Sequence, residues 1–126
     1  MTIVSTLESL KKKKFTAEEL VQACLSRIEE KNDSLNAVLR VSDTAIAEAK
    51  EIDKKIAANE ELGALAGIPI LVKDNILVKG WEVTAGSQVL ESYIGTYNAT
   101  VIDRLKSAGA IIIGQTNMDE FAMGSS

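Results

Sequence analysis

Two short apolar runs in the second half of the chain constrain its fold more than any other feature. Residues 68–72 read IPILV and residues 110–113 read AIII. Both runs are too short for buried helices and are rich in β-branched side chains, so each predicts a buried strand. Between them, a pattern typical of a helix begins at Asn98 or Thr100 and ends at Gly109. A strand, a crossover helix and a second strand predict a βαβ unit of a parallel sheet.

The first 62 residues carry helical patterns instead. Thr16 and Glu19 have the spacing of a capping box, in which each side chain bonds the backbone N–H of the other residue. An apolar stripe at helical spacing follows them. A second long helix is predicted over 43–58, and a shorter one over 3–12, so this part of the chain is expected to be helical.

The whole chain, 1–126, is therefore expected to be a portion of a single domain with two parts. The helical part covers 1–62 and the sheet-forming part covers 63–126. Within the second part, residues 75–97 contain several glycines and are predicted to be mostly irregular. Thr116 is predicted to cap a last short helix.

The predicted sheet is incomplete. A two-stranded piece has little stability by itself, so we expect the α/β fold class but only a slice of a larger sheet. The missing strands would come from polypeptide outside these residues or from another copy of the chain. Unpaired strand edges and uncovered apolar faces favour association, so a homo-oligomer is expected if these residues are isolated.

The residue types that the sequence lacks exclude several kinds of catalytic and binding site. The chain has no histidine, which excludes a Ser-His-Asp triad made from these residues alone. Its single cysteine, Cys24, lies on an apolar helix face and is predicted to be a small buried hydrophobe in a reducing cytoplasm. The net charge of −4 offers no basic footprint for nucleic acid. We find no long apolar run, metal-ligand cluster or phosphate-binding loop, so neither a membrane span nor a cofactor site is expected here.

Four stretches resemble the amidase-signature family in order, spacing and content. They are LAGIPILVKDN at 65–75, TAGSQVLE at 84–91, NATVIDRLKSAGA at 98–110 and IGQTNMDEFAMGSS at 113–126. The resemblance covers residues 62–126 closely and the helical start more loosely. The run NMDEFAMG at 117–124 is most similar to the tRNA-dependent amidotransferase branch of the family. The resemblance implies the family's mixed sheet flanked by helices, with these residues as its N-terminal portion.

The resemblance also implies an activity and partners for the complete protein. An enzyme of that branch removes the amide nitrogen of glutamine and passes ammonia to a partner subunit. There, Glu-tRNA(Gln) is activated with ATP and becomes Gln-tRNA(Gln). The implied partners are two further subunits, B and C. A partner subunit uses ATP and magnesium, the tRNA is held mainly by the partners, and the implied compartment is the cytoplasm. Two other interpretations stay open: a different amidase-signature hydrolase, and a shortened chain that serves as a structural or binding module.

Lys73 is the candidate catalytic residue. By the resemblance, it corresponds to the lysine of the family's Ser–Ser–Lys triad. It follows the predicted strand on the face of Pro69 and Leu71, at the edge where ligands approach an α/β sheet. A lysine that is buried there can accept a proton from a serine without histidine. The triad's serines belong to a Gly/Ser-rich segment further along the family's chain, so we expect these 126 residues to be inactive alone. From the residues by themselves, a solvated lysine that closes a strand is the alternative.

A second candidate group lies at the end of the sequence. Met123, Gly124, Ser125 and Ser126 match a loop that, in the family, approaches the triad and shapes the substrate pocket. By the resemblance these two serines are not the triad serines. Without the rest of an enzyme they would form a disordered terminus.

Asp74 is the remaining polar residue next to Lys73. Because side chains alternate along a strand, its carboxylate is predicted to point away from the lysine. The interpretation that we favour is a cap for a turn with Asn75. The alternative is that Asp74 orients the site from behind Lys73.

Overall fold

The computed structural model describes residues 2–124. The helices and strands are α1 (Ile3–Lys11), α2 (Ala17–Leu35), β1 (Val38–Val41), α3 (Ala45–Ala57), β2 (Pro69–Lys73), α4 (Thr100–Ser107) and β3 (Ile111–Thr116). The three strands form one sheet in the order β1-β3-β2, in which β2 and β3 are parallel and β1 and β3 are antiparallel. The predicted βαβ unit is therefore present, and the fold is α/β with a mixed sheet.

The sequence analysis predicted two strands, and the structure has a third. β1 lies within the first 62 residues, so that part of the chain is not helical throughout. Val38 pairs with Thr116 of β3, and Val41 pairs with Gly114. The side chain of Asn32 in α2 bonds both the N–H and the carbonyl of Val38, each at 2.8 Å. Because only Val38 in β1 is buried, the strand lacks the apolar alternation that would mark it in the sequence.

The helices α1, α2 and α3 pack as one layer against the sheet. The predicted capping box of Thr16 and Glu19 is confirmed, and Thr2 forms a similar one at the start of α1. Asp53 of α3 adds a second cap to α2, because its carboxylate accepts the N–H of Ala17 at 2.7 Å and of Glu18 at 3.0 Å. The buried core of this layer consists of Leu10, Ala17, Val21, Ala45 and Ala49 with Ile111 and Ile113 of β3.

The opposite face of the sheet is covered by α4 and by residues 75–97. Its core consists of Val72, Val78, Ile102 and Ile112. Gly109 follows α4 with a positive φ of 86°, which confirms the predicted helix stop. A Cβ at Gly109 would lie 2.9 Å from the Cα of Ala66, so the position also requires the absence of a side chain. Each of the two layers thus contributes a separate apolar core.

The prediction for Thr116 was wrong. Thr116 is the last residue of β3 and does not cap a helix. The predicted helix is reduced to a single 3-10 turn, Glu120–Ala122, in which Phe121 and Ala122 have positive φ angles of 50° and 56°. The Phe121 N–H bonds the carbonyl of Ala85 at 2.8 Å, so a partner distant in the sequence replaces the carbonyl that a helix would supply.

Candidate active site

The candidate site lies where the parallel strands β2 and β3 end. Lys73 is the last residue of β2 and pairs with Thr116, the last residue of β3. The Asp74 N–H donates to the Thr116 carbonyl at 3.1 Å and so extends this pairing by one residue. The carboxyl ends of parallel strands are where ligands approach open α/β sheets. The structure thus places Lys73 where the sequence analysis predicted it.

Side-chain alternation at the end of β2 is as predicted. Leu71 and Lys73 are exposed on the side of α2, whereas Val72 and Asp74 are buried on the other side of the sheet. The expected burial of Lys73 is not present within residues 2–124, where the lysine is exposed. The reason is that Lys73 lies on an edge strand, and the α2–α3 layer packs mainly over β3. Within the described chain, its ammonium group faces solvent.

Asp74 is buried, with only 1% of its surface exposed. Its carboxylate accepts the Thr84 N–H, 3.2 Å from each oxygen, and the Gly86 N–H at 3.3 Å. It also accepts the hydroxyl of Thr84, and its main-chain carbonyl accepts the Ala85 N–H at 3.1 Å. The favoured interpretation, a cap for the turn with Asn75, was therefore wrong for the carboxylate. That turn is closed by the backbone bond from the Ile76 N–H to the Lys73 carbonyl at 2.9 Å.

The segment that Asp74 holds, residues 84–87, bridges to the segment after β3. Gly86 has a φ of 68°, and a Cβ there would lie 2.8 Å from the Met118 carbonyl oxygen. The buried hydroxyl of Ser87 donates to the Glu120 carboxylate at 2.5 Å. Together with the bond from the Phe121 N–H to Ala85, these contacts fix residues 118–121 against residues 84–87.

Met123 and Gly124 continue from this fixed segment. Both are exposed, with Met123 at 80%. Ser125 and Ser126 lie outside the described residues. The structure therefore brings Lys73 and the segment that leads to Met123 to the same edge of the sheet, because that segment begins directly after Thr116.

An apolar cleft of about 540 Å³ lies on the same side of the sheet as Lys73. It is lined by Ala23, Cys24, Arg27, Ile28, Pro69, Leu71 and Ile113. Burial raises the pKa of the Cys24 thiol above its usual value, so less of it is thiolate at neutral pH. Cys24 lies on the apolar helix face that the sequence predicted, but it is half-buried in the wall of the cleft and not fully buried.

Within residues 2–124, no group of three or more cysteine or acidic side chains is arranged to hold a metal ion. None of the helices in this part of the chain is long and apolar enough to cross a membrane.

Sequence reasoning missed three polar contacts in the site: Asp74 with Thr84, Asp74 with Gly86, and Ser87 with Glu120. Each joins residues that are ten or more positions apart. The only signal in the sequence was that 84–91 is one of the four stretches that resemble the family. That signal marks the segment but does not give its partners.

Comparison with protein families gives a match over most of the chain. The Amidase family model matches residues 19–126. The A subunit of the Glutamyl-tRNA(Gln) amidotransferase of Natranaerobius thermophilus is 48% identical, over 100% of this chain and 26% of that protein. The corresponding A subunit of Methanothermobacter thermautotrophicus is 50% identical, over 100% of this chain and 28% of that protein. The chain thus spans about a quarter of the length of these curated relatives.

Solved structures share the fold. A protein from an inhibitor-bound vestigial complex, which reveals the evolutionary origins of an s-triazine catabolic enzyme, superposes with a TM-score of 0.92 at 33% identity. This match covers 98% of our chain and 28% of that one. The peptide amidase of Stenotrophomonas maltophilia has a TM-score of 0.89 at 31% identity, with 96% and 25% covered. These similarities confirm the fold that the resemblance implied.

Proposed function

Because the chain belongs to the amidase family, we propose that it is the N-terminal part of a glutamine-hydrolysing amidotransferase subunit that helps to convert Glu-tRNA(Gln) into Gln-tRNA(Gln). The observation that carries this proposal is the 48% identity, along the whole chain, with the A subunit of a Glutamyl-tRNA(Gln) amidotransferase. Since the chain spans about a quarter of that relative, the activity is proposed for the complete protein.

In this proposal, Lys73 is the catalytic lysine. Its position at the carboxyl end of β2 supports the role, because an ammonium or amine there faces the side from which a ligand approaches. Through the bridging serine, the lysine takes the proton of the nucleophilic serine, whose oxygen bonds to the side-chain amide carbon of glutamine. The C–N bond breaks, the proton returns to the departing nitrogen so that ammonia leaves, and water then hydrolyses the acyl-enzyme to glutamate. In this proposal both triad serines belong to further polypeptide of the complete protein. The same further polypeptide covers Lys73. Met123, Gly124, Ser125 and Ser126 line the glutamine pocket.

The proposed partners are the subunits B and C, and the proposed compartment is the cytoplasm. ATP and magnesium act in a partner subunit, which receives the ammonia. The net charge of −4 supports a scheme in which the partners hold most of the tRNA. Residues 1–126 form the start of one amidase domain, with helices and β1 before residue 63 and the βαβ unit after it.

A second candidate function is hydrolysis of another small amide. The similarity to the peptide amidase of Stenotrophomonas maltophilia favours it, since a TM-score of 0.89 shows that the same framework serves a different amidase. Comparing glutamine with peptide amides as substrates of the complete protein separates the two functions.

A third candidate is a non-catalytic structural or binding module. For the isolated 126 residues we propose self-association. Within the described chain the outer edge of β2 is unpaired and Leu71 is exposed, so both are available to a second copy. Light scattering at high concentration tests this, and a monomer at every concentration would contradict it.

The experiment that tests the main proposal is ammonia release from glutamine. Three samples are compared: the 126 residues alone, the complete protein alone, and the complete protein with subunits B and C. We expect no release above the blank in the first sample and release in the third. Ammonia from the 126 residues alone, lost on Lys73→Ala, would show that the missing serines are not needed. No release from any sample would contradict the proposed function.

A further inference from the structure

One buried carboxylate lies between the two segments that the proposed function uses. Asp74 directly follows Lys73, and its oxygens accept two backbone N–H groups and one hydroxyl from Thr84 and Gly86. Within the described residues it has no ion-pair partner, since its partners are these neutral donors. Such donors compensate the hydration that a side chain with 1% exposure loses on burial.

The two N–H donors belong to a turn whose backbone conformation directs both of them towards one point. An acceptor at that point is needed to satisfy them. Ala85 and Gly86 have consecutive positive φ angles of 52° and 68°, which is an unfavourable conformation for alanine. This conformation turns the N–H groups of Thr84 and Gly86 towards the same carboxylate. Concave arrangements of N–H groups of this kind are typical anion sites. The Asp74 carboxylate is the anion that stabilises the turn.

The same turn also contacts the segment that leads to Met123. The Ala85 carbonyl accepts the Phe121 N–H at 2.8 Å, and Gly86 lies against the Met118 carbonyl. Loosening the turn therefore moves residues 118–121, because their hydrogen-bond partner moves with it.

We propose that Asp74 is a positioning residue that fixes the distance between Lys73 and the pocket segment that ends at Met123 and Gly124. This inference rests on the proposed function, since the proposed function assigns both Lys73 and the pocket segment to one active site. The Asp74 backbone fixes Lys73 through the Thr116 carbonyl, and the Asp74 carboxylate fixes the pocket segment through residues 84–86. Asp74 contacts neither reacting group.

Replacing Asp74 by asparagine tests the carboxylate with little change in volume. The asparagine amide has one acceptor oxygen and one NH2 group, so the NH2 group faces an N–H donor and one side of the turn loses its acceptor. A displacement of about 1 Å in an active site costs up to about 100-fold in rate. For the complete protein with its partner subunits, we expect Asp74→Asn to lower kcat/KM for glutamine by about 10- to 100-fold, with a raised KM as well as a lowered kcat.

Asp53→Asn is the matched control. Asp53 likewise accepts two backbone N–H groups, at 2.7 and 3.0 Å, but these belong to the first turn of α2 in the helical layer. We expect this variant to lower the thermal midpoint while KM and kcat per folded molecule stay unchanged. Thr84→Val and Thr84→Ser form a second pair: the valine removes the hydroxyl bond to Asp74 and should raise KM, and the serine should restore it.

The possible outcomes separate this inference from the function on which it rests. If the wild-type complete protein releases no ammonia from glutamine, the proposed function fails and the inference fails with it. If the wild type is active and Asp74→Asn keeps KM and kcat within two-fold per folded molecule, only the inference is overturned. A raised KM in Asp74→Asn and Thr84→Val, absent from Asp53→Asn and Thr84→Ser, supports it.

Discussion

The helical layer and the site edge are built by different means. In the helical layer, α1 and α2 each start at a capping box whose two residues lie three positions apart, as Thr16 and Glu19 do. At the site edge, the backbone is irregular and its polar contacts reach over ten to more than thirty residues, as Asp74 to Thr84 and Ser87 to Glu120 show. Local contacts therefore start the first two helices of the frame, to which Asp53 adds one distant cap, whereas the polar contacts of the site are set by the completed fold.

This difference matters for function. A frame of regular elements gives Lys73 a fixed place at the end of a strand. The segments around it have positive φ angles at Ala85, Phe121 and Ala122, which are costly for residues other than glycine unless partners hold them. The site edge is therefore a part of the described chain where one altered side chain has consequences for a second segment.

The largest expected effect in this comparison comes from Gly86→Ala. The new Cβ would lie 2.8 Å from the Met118 carbonyl oxygen, and φ is 68°, so contact and conformation both oppose alanine. We expect a loss of about 3 kcal/mol in the free energy of unfolding, measured by urea denaturation. Hydrogen exchange at the Phe121 amide should accelerate as well.

Gly80→Ala is the matched control for that variant. Gly80 also has a positive φ, 83°, but no atom lies within 4 Å of its Cβ position. It should lose only the conformational part, about 1 kcal/mol. Equal losses in the two variants would show that the contact between residues 86 and 118 contributes nothing.

The next effect in size is that of Thr16→Ala in the helical layer. It removes the side chain that accepts the Glu19 N–H at 3.0 Å, so we expect a loss of about 1 kcal/mol by urea denaturation. Hydrogen exchange should accelerate in the first turn of α2 and stay unchanged at Phe121. Thr44→Ala is the control, because Thr44 precedes α3 without a side-chain cap bond to the backbone. Faster exchange at Phe121 in Thr16→Ala would contradict the separation of the two regions.

The smallest effect concerns the reactivity of Cys24. Because burial raises the pKa of its thiol, the thiolate fraction at pH 8 is lower in the folded chain than in the unfolded chain. Alkylation by iodoacetamide should therefore be several-fold slower in the folded chain. The sign follows because a raised pKa leaves more thiol protonated at any pH below it. An equal rate in urea and in buffer would contradict this account of the cleft.

These predictions also mark what the sequence could provide. The βαβ unit followed from two isoleucine-rich runs, and α2 from a capping box, because both signals are local. β1 was missed because only Val38 of its four residues is buried. The carboxylate of Asp74 was assigned to the adjacent turn because its partners, Thr84 and Gly86, are set by tertiary folding. The place of Lys73 was predictable from strand alternation, and its exposure was not, since that depends on what covers the edge of the sheet.

The central claim is that Lys73 is the catalytic lysine of a glutamine-hydrolysing subunit. The direct measurement is ammonia release from glutamine by the complete protein with subunits B and C, carrying either Lys73→Ala or Lys79→Ala. Lys79 is an exposed lysine in the irregular segment after β2 and serves as the control. The account predicts that Lys73→Ala lowers kcat by about 10³-fold or more while Lys79→Ala stays near wild type. Ammonia release by Lys73→Ala at the wild-type rate would contradict it.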